Sequence, residues 1–471
     1  MDQAFVSIWL DTEDFVDPRA DDAAMRLASI LTELDAPSTF KIVGEKLRAL
    51  ERRGRDDVID ALARHDVGYH SNWHSRHPCV SEYVADAGWD EGVELILKNE
   101  GPGFEDIQRV FGRVPSCYGQ GGSTWAPQTY SACVEWGIPV WLSDGPHVVV
   151  NNAPHRYCSL LNISGLGDAT ARVVLSEPDS LRKSEETLDQ AVRFAIDSGG
   201  GVVNVFYHPC EFVSSQFWDA VNFAAGQNPA GESYELPPPL PESEIEAGFE
   251  RFKDYVKYMK SRADVQIVTA SFLAEAYEDV SLDQAYNRRQ ACSMAEAFLD
   301  EHSFVRVDRG WLSPAEVFSV VAGHVRSLTG GKAASPIKPV SPLGPKESPE
   351  RVAGEATAVD DRALIEAAVA LDSDLRSGKA LPAVSRVGGA HLTPESLLTG
   401  LCRLLLARAE AGEFPQRLET EHVPLTTEKF VADDSTAIWD WSPHPPGFRA
   451  PHMMSLAKRQ AWTIKPASPL E

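Results

Sequence analysis

Residues 5–10, FVSIWL, are an apolar run without the two-residue alternation of a half-exposed strand, the pattern of a strand covered on both faces in a parallel sheet. Three acids, Asp11, Glu13 and Asp14, stand where the run ends. Helical periodicity over 21–34 precedes a second strand at 38–43, and a helix over 55–65 leads into a third strand at 67–69. The alternation continues with a helix over 103–111, the glycine-rich loop 118–122, a helix over 127–136 and a strand at 140–142 that ends near Asp144. A weak capping box at Ser184 predicts a helix over 184–196, before an apolar strand at 202–207 that closes on His208. After a proline-rich stretch at 236–241 come a long helix at 242–262, a strand at 265–269 and a helix at 271–277. Six or seven β/α units predict an α/β domain over 1–280, a distorted (β/α) barrel with its chemistry at the C-terminal ends of the strands.

The pattern changes beyond residue 280. VDRGWLSPAEVF at 307–318 and VGGAHLTPESLL at 387–398 match each other. Each offers an N-cap, Ser313 or Thr393, followed by a proline at the first helical position, Pro314 or Pro394. Two small helical repeat units are expected, over 300–330 and 356–425, joined by a flexible linker at 331–355 rich in Pro, Gly, Ser and Lys. A Trp/Pro-containing C-terminal tail follows at 426–471, and its Trp439, Trp441 and Trp462 are read as packing on a neighbouring surface, with carbohydrate stacking as the alternative. The repeats bear a faint similarity to small helical cell-wall-binding repeats, and a scaffold or dimerisation role is the reading preferred for them.

The 471 residues carry a formal net charge of −25, which argues against partners recognised through their phosphates, so neither nucleic acid nor an anionic membrane surface is expected. The N-terminal stretch lacks the basic n-region of a secretory signal, and no apolar segment approaches a membrane span, so a cytoplasmic location is expected. Seven scattered cysteines form neither a disulfide framework nor a CxxC zinc site.

Candidate chemistry centres on His70 and His74, four residues apart, a spacing that on a helix would place both imidazoles on one face and let them share a metal ion. Among 13 histidines such a pair arises readily by chance. The acids after the first strand and the histidine after a later one add weight to it.

With those residues in this order, the first 280 or so residues resemble the polysaccharide deacetylase family, the NodB-type carbohydrate esterases. LDTEDF at 10–15 is similar to the family's acidic first motif, DVGYH with His74 to its HxxxH motif, and VFYH at 205–208 to its strand-end histidine motif. The resemblance implies a NodB-like fold and one divalent metal ion, zinc first, with cobalt, nickel or manganese as alternatives. It implies Asp14, His70 and His74 as metal ligands, Asp11 as general base and His208 as general acid. Because the paired acids of this motif stand adjacent or two apart, Glu13 can replace either carboxylate.

Other motifs match less closely. Ser116 stands where the family has an arginine that orients the base, while Tyr118 keeps the Tyr-Gly and could line the site, its backbone N–H serving an oxyanion. Asp144 matches the fourth motif only loosely. Trp73 and Trp125 are candidate aromatic walls of a substrate groove, with core packing an equal alternative for each. The expected activity is metal-dependent removal of an acyl group, N-acetyl first, from an amino sugar or glycan. A small-amide or cyclic-amide hydrolase is the alternative on the same fold, and a non-catalytic glycan-binding or scaffold protein is the third.

Overall fold

A computed structural model describes residues 3–198, 200–229, 233–328, 335–347, 357–411 and 416–470. Its organising element is β1, Ala4–Thr12, in which every residue but Phe5 is buried. Strands β2 (Thr39–Ile42), β3 (Asp66–Tyr69), β4 (Cys117–Tyr118), β5 (Val140–Leu142), β6 (His155–Tyr157), β7 (Leu160–Ile163), β8 (Val202–Tyr207) and β9 (Val265–Val268) follow in chain order. Seven strands run parallel in the order β7-β5-β4-β3-β2-β1-β8, while β6 lies antiparallel on β7. Strand β9 also pairs with β1, along residues 4–7, while β2 takes up residues 9–12. The hydrogen-bonded path has two ends, so the sheet curls without closing into the barrel expected of seven regular units.

Helices cover the sheet by burying one stripe each. In Arg19–Glu33 the buried residues Ala20, Ala23, Ala24, Leu27, Ala28 and Leu31 recur at three- and four-residue steps. Two helices begin earlier than their local signals predict. Ser184 sits inside Ser180–Asp197 and donates to the Ser180 carbonyl, and Trp89–Phe111 runs through Pro102 as one helix. That helix passes close over the sheet at Gly103, where a Cβ would lie 2.7 Å from the Tyr69 hydroxyl. The helix Gly44–Arg52 and the β6–β7 hairpin carried no sequence signal that set them apart.

The second half contains two units of the same shape. Helix Arg288–Glu301, the hairpin β10 (Val305–Val307) and β11 (Gly310–Leu312), and helix Pro314–Ser327 form one. After β12 (Thr357–Asp360), helix Asp361–Arg376, the hairpin β13 (Ser385–Val387) and β14 (Ala390–Leu392), and helix Pro394–Ala411 form the other, with β15 (Arg417–Thr420) returning onto β12. Ser313 accepts from the Glu316 amide and Thr393 from the Ser396 amide, so both helices start at the expected caps. Their apolar faces meet in a second core that includes Phe298, Phe318, Leu364, Leu371, Leu398 and Leu401.

Residues 331–334 and 348–355 of the expected linker lie outside the described residues. Its described part is packed: Ile337 pairs with Tyr286, and the Gly344 amide donates to Gln460 in the interior. The C-terminal segment is likewise no separate tail. Val431, Ile438, Trp439, Met453, Leu456 and Ile464 belong to the core of the main sheet, and β16 (Lys465–Pro466) adds antiparallel to β6. Trp462 sits in the second core, and Lys465 is buried between Asp279 at 2.5 Å and Glu316 at 2.7 Å. The last forty residues thus tie the two cores together. Among the described residues no helix is long and apolar enough to cross a membrane.

Candidate active site

The C-terminal ends of β1, β3 and β8 converge on one cleft of about 680 Å³, lined by Asp11, Glu13, His70 and His208 among others. Side chains two apart on an extended chain share a face, so Asp11 and Glu13 turn inward together and Asp14 turns away. Glu13 is the central carboxylate. Its Oε2 lies 2.9 Å from His74 Nε2 and 3.3 Å from His70 Nε2, and its Oε1 accepts from Trp218 Nε1 at 3.0 Å. Burial would raise the Glu13 pKa, but the imidazoles of His74, His208 and His70 hold it well below the usual value.

The histidines do not lie on a helix. His70 follows β3 directly, and the chain then turns through left-handed backbone at Ser71 and His74, the Ser71 hydroxyl accepting from the His74 amide at 3.0 Å. This turn brings the two ring centroids to 5.0 Å. Gly121 leaves His74 its place, since a Cβ there would come within 2.6 Å of the imidazole.

The outer nitrogens fix both tautomers. His70 Nδ1 donates to the Gly119 carbonyl at 2.9 Å. His74 Nδ1 donates to Ser75 Oγ at 2.6 Å, and that hydroxyl donates onward to Asp219 at 2.9 Å. In the neutral form of each ring Nε2 presents a lone pair to the Glu13 carboxylate, whereas a protonated ring would pair with it as a cation. Two imidazole nitrogens and a carboxylate facing one another are held together by a cation between them, either protons on the rings or a metal ion. With their outer nitrogens held in this way, Glu13, His70 and His74 fit a divalent metal.

Asp14, expected as a ligand, is not one of the three. Its Oδ1 accepts from the Val16 and Asp17 amides at 2.9 and 3.0 Å, which makes it the cap of the following turn. Burial with too little compensation raises its pKa to about 7.

Asp11 is held by a residue that motif reasoning missed. Lys41 Nζ lies 2.9 Å from Asp11 Oδ1, donates to the Leu142 carbonyl at 2.8 Å and sits 3.8 Å above the Trp9 ring. The sheet register pairs Asp11 with Lys41 and Lys41 with Gly68, so the three stand in a row across β1, β2 and β3. Glycine at 68 and at 119 leaves room for the lysine: a Cβ at the first would come within 2.9 Å of Lys41 Cγ, and one at the second would fall on Nζ. Burial raises the Asp11 pKa, but His70, Lys41 and His208 together bring it below the ordinary value. The available signal was a lysine inside an apolar strand, TFKIV at 39–43. Ser116, at the position of the missing arginine, donates to Asp66 at 2.7 Å.

His208 faces Asp11 across the cleft, with Nε2 3.7 Å from Asp11 Oδ2 and Nδ1 3.7 Å from Glu211 Oε2. Burial lowers its pKa, and the carboxylates of Glu13, Glu211 and Asp11 outweigh that and raise it. Asp144 lines the cleft, and the acid beside His208 Nδ1 is Glu211.

The aromatic expectations are corrected. Tyr118 is fully buried, packed on Tyr69 and Trp141 in the core and absent from the cleft lining. Trp125 is buried and stacked on His147 at 4.7 Å. Trp73 lines a separate depression with Arg76 and Tyr83. The cleft's aromatic walls are instead Trp9 and Phe206, stacked at 4.3 Å, with Phe217 and Trp441. Trp441 could not be placed from local pattern, because it reaches the cleft from the far end of the chain.

No protein-family model matches this sequence, and none of the curated proteins does. Among solved structures the chain is similar to a Mycobacterium smegmatis protein assigned as a polysaccharide deacetylase, at 16% identity and a TM-score of 0.38, over 58% of this chain and 90% of that one. It is similar to a CE4 esterase of Streptococcus mutans at 15% identity and 0.32, over 57% and 86%. It is also similar to a CE4 family pseudoenzyme of Bacillus anthracis at 11% and 0.30, over 56% and 64%. At such low scores the family stays unassigned, and the functional reading stands on the side chains of the site.

Proposed function

We propose that this protein is a metal-dependent hydrolase that removes an acyl group, N-acetyl first, from an amino sugar or glycan. The observation that carries the reading is the pair of buried imidazoles whose outer nitrogens are spent on Gly119 and Ser75 and whose inner nitrogens converge on Glu13. They do so beside a lysine-held carboxylate and a second histidine in one cleft. A His₂-carboxylate donor set suits zinc, and a divalent ion bound there would supply Lewis acidity and lower the pKa of a water.

The chain's own groups provide the rest. Asp11, aimed by Lys41, accepts the proton of the attacking water at Oδ2, the oxygen that the lysine leaves free. His208, whose pKa the carboxylates around it raise, gives a proton from Nε2 to the departing amine nitrogen. Asp11 and His208 thus serve as base and acid of one reaction in the same cleft. Glu211 holds the imidazole of His208 by accepting its backbone amide at 3.2 Å and facing its Nδ1.

A cleft of about 680 Å³ is of the size that encloses a small ligand, which keeps the small-amide or cyclic-amide hydrolase as the second reading. Elemental analysis of protein purified without chelator, followed by amine release from N-acetylated amino sugars and from cyclic amides, decides among the readings. About one divalent ion per chain with turnover of the sugars supports the first, and turnover of cyclic amides alone supports the second. Metal-free protein without activity on either class would leave a glycan-binding or scaffold role.

A further inference from the structure

The cleft contains buried polar atoms that the reaction does not use. Gln120, 3% exposed, has neither its amide nitrogen nor its amide oxygen hydrogen-bonded among the described residues. The Trp441 indole Nε1 and Arg172 Nη1 are likewise buried and unpartnered there, and all three residues line the same cleft. Leaving one buried donor or acceptor unpaired is worth on the order of tenfold or more in an equilibrium. Several in one wall point to a ligand that supplies their partners.

Their chemistry specifies the ligand. Trp441 and Arg172 offer only donors, while Gln120 offers a donor and an acceptor. Hydroxyl groups both accept and donate, so a polyhydroxylated ring can match all of them, whereas an apolar N-acyl amide of the same size would leave them unpaired. The indole also presents an apolar face next to Phe217, at 6.3 Å between ring centroids.

The C-terminal segment is built into this wall. Ser442 and Pro443 accept from the Ala225 and Gly226 amides at 2.7 Å, and His444 lies between the hydroxyls of Ser81 at 2.8 Å and Ser123 at 3.2 Å. Gly122, at φ +53°, lets the indole lie on the glycine-rich loop, since a Cβ would come within 2.5 Å of Nε1. Gly145 does the same for Gln120, where a Cβ would come within 2.5 Å of the amide nitrogen.

We propose that Gln120 and Trp441 form a hydroxyl-recognising subsite, so that the C-terminal segment determines the specificity of a site whose chemistry lies on strands β1, β3 and β8. The proposal rests on the hydrolase reading and narrows its substrate to a polyhydroxylated ring.

The test is calorimetric binding of two probes, N-acetyl-D-glucosamine and N-acetylcyclohexylamine, to the zinc-loaded full chain carrying Asp11→Asn to suppress turnover. The sugar should bind at least tenfold more tightly than its deoxygenated analogue. Gln120→Leu and Trp441→Phe, the latter keeping the ring but losing the N–H, should each weaken sugar binding about 3- to 12-fold, the worth of one hydrogen bond. Binding of the cyclohexyl probe should stay within about twofold in both variants, and an unchanged metal content would show that each is folded. Equal affinity for the two probes, or equal loss on both, overturns the subsite. Failure of the hydrolase reading would show separately, as absent metal and absent amine release in the unmodified protein.

Discussion

Replacing Lys41 by methionine keeps the length and bulk of the side chain and removes its charge, which makes it the sharpest test of how Asp11 is held. The ion pair is 2.9 Å long, and both partners are buried. At an effective dielectric near 20 the gross attraction is about 6 kcal/mol. The net effect is smaller, because Asp11 keeps the His70 and His208 imidazoles at 3.7 Å and borders the cleft. Removing one partner of a buried pair costs about 3–5 kcal/mol, and with those compensations the low end, about 3 kcal/mol, is expected. The Leu142 carbonyl would also lose its donor. Freed from the lysine, the Asp11 carboxylate can rotate, and a misplacement of a reacting group by about 1 Å costs about 10²-fold in rate.

Lys41→Met should therefore retain about one metal per chain while kcat/KM for amine release falls about 10²-fold. Losing the ammonium raises the Asp11 pKa, so the acidic limb of the rate profile should move to higher pH. Lys41→Arg should not restore the rate, because the passage beside Gly68 and Gly119 admits only a slim chain. A rate within threefold of wild type, or metal lost in proportion to rate, would refute this role for the lysine.

Three further outcomes follow from the same geometry. Glu13→Gln should lose most of its metal, whereas Asp14→Asn, which keeps the turn-capping oxygen, should bind it normally; elemental analysis of the pair checks the exchange of roles. Glu100, buried and accepting from the Asn72 amide at 2.6 Å, has its pKa raised from 4.5 to about 6 by burial. Since the folded state binds this proton more tightly, the contribution is present below pH 4.5 and lost as pH rises through 6, a change of about 2 kcal/mol. Urea unfolding of Glu100→Gln beside wild type should show the variant gaining relative stability by that amount between pH 4.5 and 7.5. Truncation after residue 280, which the sequence pattern invites, should abolish cooperative unfolding, because it strips Ile438, Trp439, Met453 and Ile464 from the main core. A soluble fragment with a sharp thermal transition would show that the first 280 residues fold alone.

What the sequence determined by itself was local. Apolar runs marked the strands, and their ends placed Asp11, His70 and His208 where a curled parallel sheet gathers its chemistry. The N-caps at Ser313 and Thr393 announced two helices of matching units. These features depend on periods of two and 3.6 residues and on the chemistry of a few adjacent side chains, so a window of ten residues contains them. The alternation that turns Glu13 inward and Asp14 outward was also present in the sequence, but it follows only once the chain is known to stay extended past Thr12.

Tertiary structure alone decided the rest. Lys41 meets Asp11 because the register of β2 on β1 sets them side by side, and register is a property of two strands together. Trp73 and Trp125 look like candidate walls and Trp441 like a packing residue, and packing across hundreds of residues sends the first to another depression, the second to the core and the third to the cleft. Burial is settled by the whole set of surfaces competing for one interior, and no local pattern records which distant segment takes a given place.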